Sequence, residues 1–314
     1  MRMMVTGGAG FIGSTLVDRL LAEGHEVDVI DDLSTGSLTN LAEARTSYSR
    51  MLSIHQMDIR SADTVDLITF RRPDVVYHLA AQADVRVSVE RPSFDAAVNI
   101  VGSVNVLEGA RIAGAERVVY AASGGTLYGE PEPSDLPVTE ACAHSPLTPY
   151  GVSKKTVLDY LYAYRKLHSL EFSALALANV YGPRQNPHGE AGVIAIFVDR
   201  VLRNEPPVVF GDGEQTRDFV YVDDVVDAFV RAAHRGGGLL CNIGTGRETS
   251  VNNLLEVIST VTGQHIAPVH SPPRPGEILR NCLSASRAAI QLGWQPWTGL
   301  QEGILAVVES FTTS

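Results

Sequence analysis

The sequence predicts an α/β protein with a doubly wound parallel sheet and a smaller ligand-binding region after it. Three observations predict it. Short β-rich runs alternate with helical stretches through the first half of the chain, the pattern of repeated βαβ units. A glycine-rich turn, Gly7-Gly8-Ala9-Gly10-Phe11-Ile12-Gly13, joins the first of these runs to a helix. Beyond about Asn179 glycine and proline cluster at 181–192, 205–213 and 270–276, the texture of loops arranged around a ligand.

Residues 2–6 form the first strand, a short apolar run. The turn after it needs glycine, because a side chain would keep the backbone away from a pyrophosphate. Helix 11–22 follows, with Leu16, Val17, Leu20 and Leu21 as its apolar positions. Its first N–H groups and positive dipole end suit phosphate oxygens, so Gly7, Gly10, Phe11, Ile12 and Gly13 are candidate cofactor contacts. The second strand, 26–30, ends on Asp31. That is near the ~20-residue spacing at which a carboxylate accepts from ribose hydroxyls. The plainer alternative is that Asp31 or Asp32 starts a turn. No Lys or Arg occurs between Asp31 and Asn40, so a 2′-phosphate would meet unbalanced negative charge. NAD is therefore expected rather than NADP, on a Rossmann-type fold.

Strands at 53–56, 75–79 and 117–121 continue the sheet, with helical stretches around 64–69 and at 92–113 between them. Asp58-Ile59 closes the third strand region and could flank an adenine. Residues 219–234 read as one more strand–helix unit, with Asp223-Asp224 capping its helix. The expected organisation is a dinucleotide-binding domain at 1–180 and a mainly substrate-binding region at 181–314, with 219–242 returning to the first sheet.

Tyr150 and Lys154 are four residues apart, just after Pro149, so a helix starting there puts both on one face. An ammonium beside a phenol favours the phenolate and yields a base usable near neutral pH. An exposed i,i+4 pair is the alternative reading, and the cradle upstream weighs against it. Ser123 follows the strand-like Val118-Val119-Tyr120-Ala121, where a side chain points at the ligand crevice. Its hydroxyl could relay a proton to Tyr150; Thr126 is a second candidate, and Ser123 as a mere turn residue before Gly124-Gly125 is the alternative.

Composition narrows the partners. With 36 acidic and 25 basic residues the net charge is −11, which argues against a nucleic-acid surface. No apolar run is long enough for a membrane span. The three cysteines, Cys142, Cys241 and Cys282, show neither metal-ligand spacing nor a disulfide framework. A reduced, cytoplasmic protein without a secretory leader is expected, with no metal.

These residues resemble the extended short-chain dehydrogenase/reductase superfamily and, within it, the bacterial UDP-glucose 4-epimerase branch. The likeness covers nearly the whole chain. It includes 6–13, Asp31-Asp32-Leu33-Ser34-Thr35-Gly36, Asp58-Ile59, His78-Leu79-Ala80-Ala81-Gln82, Asn99, 123–129, 150–154, Asn179-Val180-Tyr181-Gly182-Pro183-Arg184, Gly211-Asp212-Gly213, Thr216-Arg217-Asp218 and Arg274-Pro275-Gly276-Glu277. The resemblance implies that Asp31 and Asp58 hold the adenosine half of NAD. Asp32, Ser34, Thr35, Gly36, Ile59, Leu79, Ala80, Ala81, Gln82 and Asn99 would line the same groove. It further implies that Ser123, Thr126, Asn179, Val193, Arg217, Arg274, Glu277 and Asn281 meet a UDP-sugar. Arginine suits a diphosphate because its planar fork binds two oxygens at once. Ordinary ion pairs, Arg217-Asp218 and Arg274-Glu277, are the alternative. Relatives pair as homodimers through two helices per subunit, which match 92–113 and 150–168. Val157, Leu158, Leu161 and Tyr164 on the second have helical spacing, which core burial explains equally well.

The chain departs from the pattern in places. Asp32 stands where the branch often has Asn, Glu277 where many members have Asp, and Ser123 is a single serine where relatives often carry two adjacent hydroxyls. Related 4,6-dehydratases place an Asp-Glu pair where this chain has Gly124-Gly125, and the related decarboxylases carry a glutamate nearby. Both chemistries are disfavoured on that ground. The implied reaction is inversion at C4 of a UDP-hexose through a transient 4-keto sugar, with Tyr150 as base and bound NAD as reversible hydride acceptor. A 4-epimerase for N-acetylhexosamines or uronic acids, a nucleotide-sugar reductase and a non-catalytic NAD sensor are the rival readings. Asn281 stands at the position that gates room for the sugar 2-substituent. Its intermediate size implies some turnover of UDP-N-acetylglucosamine.

Overall fold

Met3, Met4, Val5 and Thr6 are all buried, without the alternation of a half-exposed strand. Such a run needs cover on both faces, as in a parallel sheet between helix layers. The computed structural model describes residues 1–187, 192–273 and 278–312, and it places this run in the interior of a seven-stranded parallel sheet. The strands are β1 (Arg2–Thr6), β2 (Glu26–Asp31), β3 (Leu52–Gln56), β4 (Val75–His78), β5 (Arg117–Ser123), β6 (Glu171–Leu177) and β7 (Leu239–Ile243). Their order is β7-β6-β5-β4-β1-β2-β3. The order reverses between β1 and β4, whose C-terminal ends therefore open a crevice where ligands bind in such sheets. The register there pairs Thr6 with both Ile30 and His78. The doubly wound class expected from the sequence is the one found.

Helix Phe11–Ala22 packs with Val222–Ala232 on one side of the sheet. On the other, Ala62–Arg71, Ser103–Ala113 and Pro149–His168 lie side by side. The expected continuous helix at 92–113 is instead Pro92–Ala96, a π-helical turn at Ala97–Gly102, and Ser103–Ala113. Such turns re-aim side chains inside a helix and recur at functional sites; Asn99 stands within this one.

A second core gathers Ile194, Phe197, Val198, Leu254, Ile258, Ile304 and Val307 from helices Val193–Leu202, Val251–Thr262 and Leu300–Thr312. The expected cap role of Asp223-Asp224 is not what Asp224 does. Both stand in the first turn of their helix, but the buried Asp224 accepts from Thr298 Oγ1 at 2.8 Å and from the Trp297 and Thr298 N–H groups. It fastens the C-terminal segment to the main sheet's helix layer. No helix among the described residues is long and apolar enough to cross a membrane.

Candidate active site

The turn after β1 is shaped for close approach. Gly7 has φ +72°, and a Cβ there would stand 2.7 Å from Ala80 N. A Cβ on Gly13 would overlap Gly7 O, so the helix can seat against the strand only with glycine here. Gly10 is the N-cap, with no side chain capping the helix. The first N–H groups thus have no intrahelical partner and face the crevice mouth with the positive dipole end.

Asp31 closes this cradle. Its Oδ2 accepts from Ala9 N at 2.9 Å and its Oδ1 from Leu33 N at 2.9 Å. Burial pushes its carboxyl above the usual carboxylate range, opposed by those two bonds. Asp32 starts a turn, its Oδ1 accepting from Ser34 N at 2.9 Å and Ser34 Oγ at 2.6 Å. Gly36 runs over Asp31; a Cβ there would lie 2.9 Å from Asp31 Oδ1. Asp58 is gripped by Arg60, whose Nε donates to its two oxygens at 3.0 and 2.9 Å and lowers its pKa. Ile59 is buried against Gly102. Three aspartates against one guanidinium keep this end of the groove acidic, consistent with NAD.

The opposite wall is a directional hydrogen-bond chain. Ser103 Oγ donates to Asn99 O at 2.6 Å, so at His78 Nε2, 2.8 Å away, it must accept. His78 therefore carries its proton on Nε2, and Nδ1 accepts from Thr6 Oγ1 at 2.7 Å. Complete burial and the nearby Lys154 charge push the imidazole pKa down to about 3. Asn99 is locked to Gln82 reciprocally: Gln82 N donates to Oδ1 at 2.8 Å, and Nδ2 donates to Gln82 O at 2.9 Å.

Helix Pro149–His168 begins with Thr148 accepting from Gly151 N at 3.2 Å, and proline stands at its first position. It carries Tyr150 and Lys154 side by side, with the ammonium 5.7 Å from the Tyr150 ring centroid and 4.9 Å from that of Tyr120. Lys154 is buried and donates to Ala121 O at 2.9 Å. Burial pulls its pKa down to about 8, opposed by the Asp95 charge. Ser123 ends β5 and is partly exposed, and its hydroxyl does not cap the one-turn helix Gly124–Leu127 that follows. Thr126 packs against Gly151, but its Oγ1 is buried without a partner.

On the substrate side, Thr216-Arg217 forms a short antiparallel pair with Thr249-Ser250, and Thr216 also bridges to Arg280. Asn281 is buried, with Nδ2 3.5 Å from Gly124 O and Oδ1 unpartnered. Asn281 thus meets the backbone just after Ser123, and its neighbour Arg280 meets the strand that carries Arg217. Buried Asp218 supports it, accepting from Thr245 N and Oγ1 at 2.8 and 2.6 Å and from Leu283 N at 3.1 Å. Asn179 donates from its N–H to Asp218 O, and Val193 opens the helix beyond. Arg274 and Glu277 lie outside the described residues.

Three contributors were not read from the sequence. Arg60 holds Asp58, and Asp18 pairs with Arg184 at 2.7 Å, a contact that the motif containing Arg184 does not announce. Asp95 is the third: a fully buried carboxylate four residues before Asn99 on one helical face. A charged residue inside an otherwise small and apolar helical run was the available signal for it.

A family model described as the NAD dependent epimerase/dehydratase family matches residues 3–244. The chain is 49% identical to a UDP-glucose 4-epimerase of Mycolicibacterium smegmatis over 99% of its own length and 98% of that protein's. Among solved structures it resembles a UDP-glucose 4-epimerase of Thermotoga maritima with UDP-glucose, at TM-score 0.95 and 42% identity, covering 100% of this chain and 99% of that one. It also resembles the Thermus thermophilus UDP-glucose 4-epimerase in complex with NAD, at TM-score 0.91 and 40% identity, with both chains covered in full.

Proposed function

The chain belongs to the NAD dependent epimerase/dehydratase family, and we propose that it interconverts UDP-glucose and UDP-galactose by inversion at C4. The observation that carries the proposal is the conjunction of a glycine cradle closed by Asp31 with Tyr150 and a buried Lys154 on one helical turn. The cradle fits NAD: Cβ atoms on Gly7 or Gly13 would strike the backbone at Ala80 and Gly7, so only glycine lets strand, turn and helix close tightly enough to offer the helix N–H groups to a dinucleotide's phosphates. When bound, NAD supplies a reversible hydride acceptor at C4.

The chain's own residues do the rest. Tyr150 takes the proton from the sugar 4-hydroxyl and returns it after inversion. Lys154, held by Ala121 O and facing the Tyr150 ring, stabilises the phenolate. Ser123, partly exposed at the end of β5, hands the proton between sugar and phenol. Arg217 anchors the diphosphate while the sugar turns to present its other face. Arg274 and Glu277 join it by resemblance. We further infer a cytoplasmic homodimer. Val101 on the π-helical turn and Ile112 on helix Ser103–Ala113 are exposed, as are Val152, Tyr160 and Leu167 on the neighbouring helix Pro149–His168. By contrast, Val157, Leu158 and Leu161 belong to the core.

The test is proton NMR of the purified protein with UDP-galactose and no added NADH. Appearance of UDP-glucose anomeric signals supports the reading. No conversion by a folded, NAD-replete preparation overturns it, as does near-full activity of Tyr150→Phe.

A further inference from the structure

Asp95 is a fully buried carboxylate to which the reaction above assigns no part. Three donors converge on it. Gln82 Nε2 at 3.1 Å and Asn99 Nδ2 at 2.9 Å reach Oδ1, and Ser153 Oγ at 2.6 Å reaches Oδ2. None of these partners is charged. The buried cation nearby is Lys154, the residue after Ser153. Among the described residues no direct ion pair joins the two charges: Lys154 donates to Ala121 O, and Asp95 accepts from its three neutral donors.

Separation at this range has a physical consequence. A direct salt bridge would draw one of the three ammonium N–H groups to the carboxylate and compete with the Ala121 O contact that seats the ammonium beside Tyr150. A carboxylate held one hydrogen-bonded residue away leaves those N–H groups where they are and still contributes its field, which low dielectric strengthens. The same carboxylate fixes the amides of Gln82 and Asn99, which line the cofactor groove by resemblance, so it couples groove and catalytic helix.

We propose that Asp95 is a positioning residue that keeps the Lys154 ammonium charged and aimed at Tyr150 by acting through space, with Ser153 as the spacer that prevents a direct ion pair.

The other groups around Lys154 do not substitute for it. His78 on β4 is neutral, and the Tyr120 phenol on β5 is pushed to still higher pKa by burial. Tyr150 is the partner on its own helix. On the adjoining helix Val85–Glu90 and its flanks, Arg86, Glu90 and Arg91 are exposed, and Asp84 pairs with Arg86. Lys155 pairs with Asp159 at the surface. Burial alone drives the lysine toward its neutral form, and Asp95 is the named charge that opposes this.

The test uses an accident of composition. The chain has only three lysines, Lys154, Lys155 and Lys166, so protein labelled with 13C at lysine Cε gives three signals to titrate by NMR. Asp95→Asn is nearly isosteric and can keep all three hydrogen bonds, with the Ser153 bond reversed, so it removes charge alone. The expected result is a wild-type Lys154 midpoint near about 8. In Asp95→Asn it falls by about one pH unit, tenfold in the protonation constant. Ser153→Ala, which keeps the charge, leaves the Lys154 ammonium with a carboxylate still beside it and its midpoint does not fall. An unmoved midpoint in Asp95→Asn overturns the proposal. The proposal rests on the epimerase reading only for its kinetic corollary: the alkaline limb of kcat with UDP-galactose moves down with the NMR midpoint. Failure of wild-type turnover would sink that reading while leaving the titration decisive for Asp95.

Discussion

Thr6 and His78 end adjacent strands and are joined, hydroxyl to Nδ1, across 2.7 Å inside the sheet. The bond lies where the strand order reverses, so it fixes the width of the crevice floor. It also commits the imidazole to one neutral tautomer through Ser103 and Asn99.

A buried neutral histidine makes stability depend on acidity. The folded pKa, about 3, is below the ordinary value near 6.5. The unfolded chain therefore binds the extra proton, and stability that is complete above pH ~6.5 is lost as pH falls toward ~3, with a slope up to about 1.4 kcal/mol per unit. His78→Asn should lower stability by roughly 1–3 kcal/mol at pH 7 and flatten the acid limb. Denaturant melts at pH 7 and pH 5 check both; an equal acid slope in the two proteins would refute the assignment.

Gly13→Ala puts a methyl group into the Gly7 backbone, which has no flexible atom to yield. Overpacking of this kind costs about 1–3 kcal/mol, and here it also displaces the helix N-terminus from the phosphates. The expected outcome is a lower Tm and protein that purifies without bound nucleotide, read from its absorbance at 260 against 280 nm.

The two candidate relay hydroxyls separate by exposure. Ser123→Ala should lower kcat by roughly 10²-fold with KM little changed. Thr126→Val removes a buried hydroxyl that has no partner, so stability should hold or rise, and kcat should change little. The reverse pattern would move the relay to Thr126.

Asn281 is loosely held, one amide atom unpartnered and the other at the limit of a hydrogen bond. A preparation active on UDP-galactose should therefore turn over UDP-N-acetylglucosamine as well, and Asn281→Tyr should remove the second activity selectively. Competition assays with both sugars decide it.

Leu167 is 73% exposed and Val152 48% exposed, one and the same helix presenting both. Leu167→Glu together with Val152→Glu should convert a sedimenting dimer into monomers without loss of secondary structure. Sedimentation velocity at micromolar protein reads the change directly.

Much of this was legible in residues that obey local rules. The β1 run, the glycine turn, Asp31 and the Tyr150–Lys154 spacing are signals carried within a dozen positions, where backbone sterics and helix geometry act. What the sequence hid depends on residues brought together from afar. Arg60 is two positions from Asp58, yet nothing local says that its guanidinium folds back onto that carboxylate. Asp224 reads as a helix cap until Thr298, 74 residues on, takes its oxygen. The π-turn at Ala97–Gly102 leaves the apolar period almost intact, so 92–113 reads as one helix. Asp95 escapes notice because a single carboxylate in a helix is ordinarily solvated, and only the packed helix Pro149–His168 encloses it.

The strand order carries a consequence for synthesis. β6 is complete by Leu177, but its outer neighbour, Leu239–Ile243, is made more than sixty residues later. At a translation speed of about 5–20 residues per second, the nascent chain spends several seconds with an apolar strand edge of seven residues open on the ribosome. Chaperone capture should concentrate in that interval, and fragments ending between the two strands should aggregate where longer ones stay dispersed.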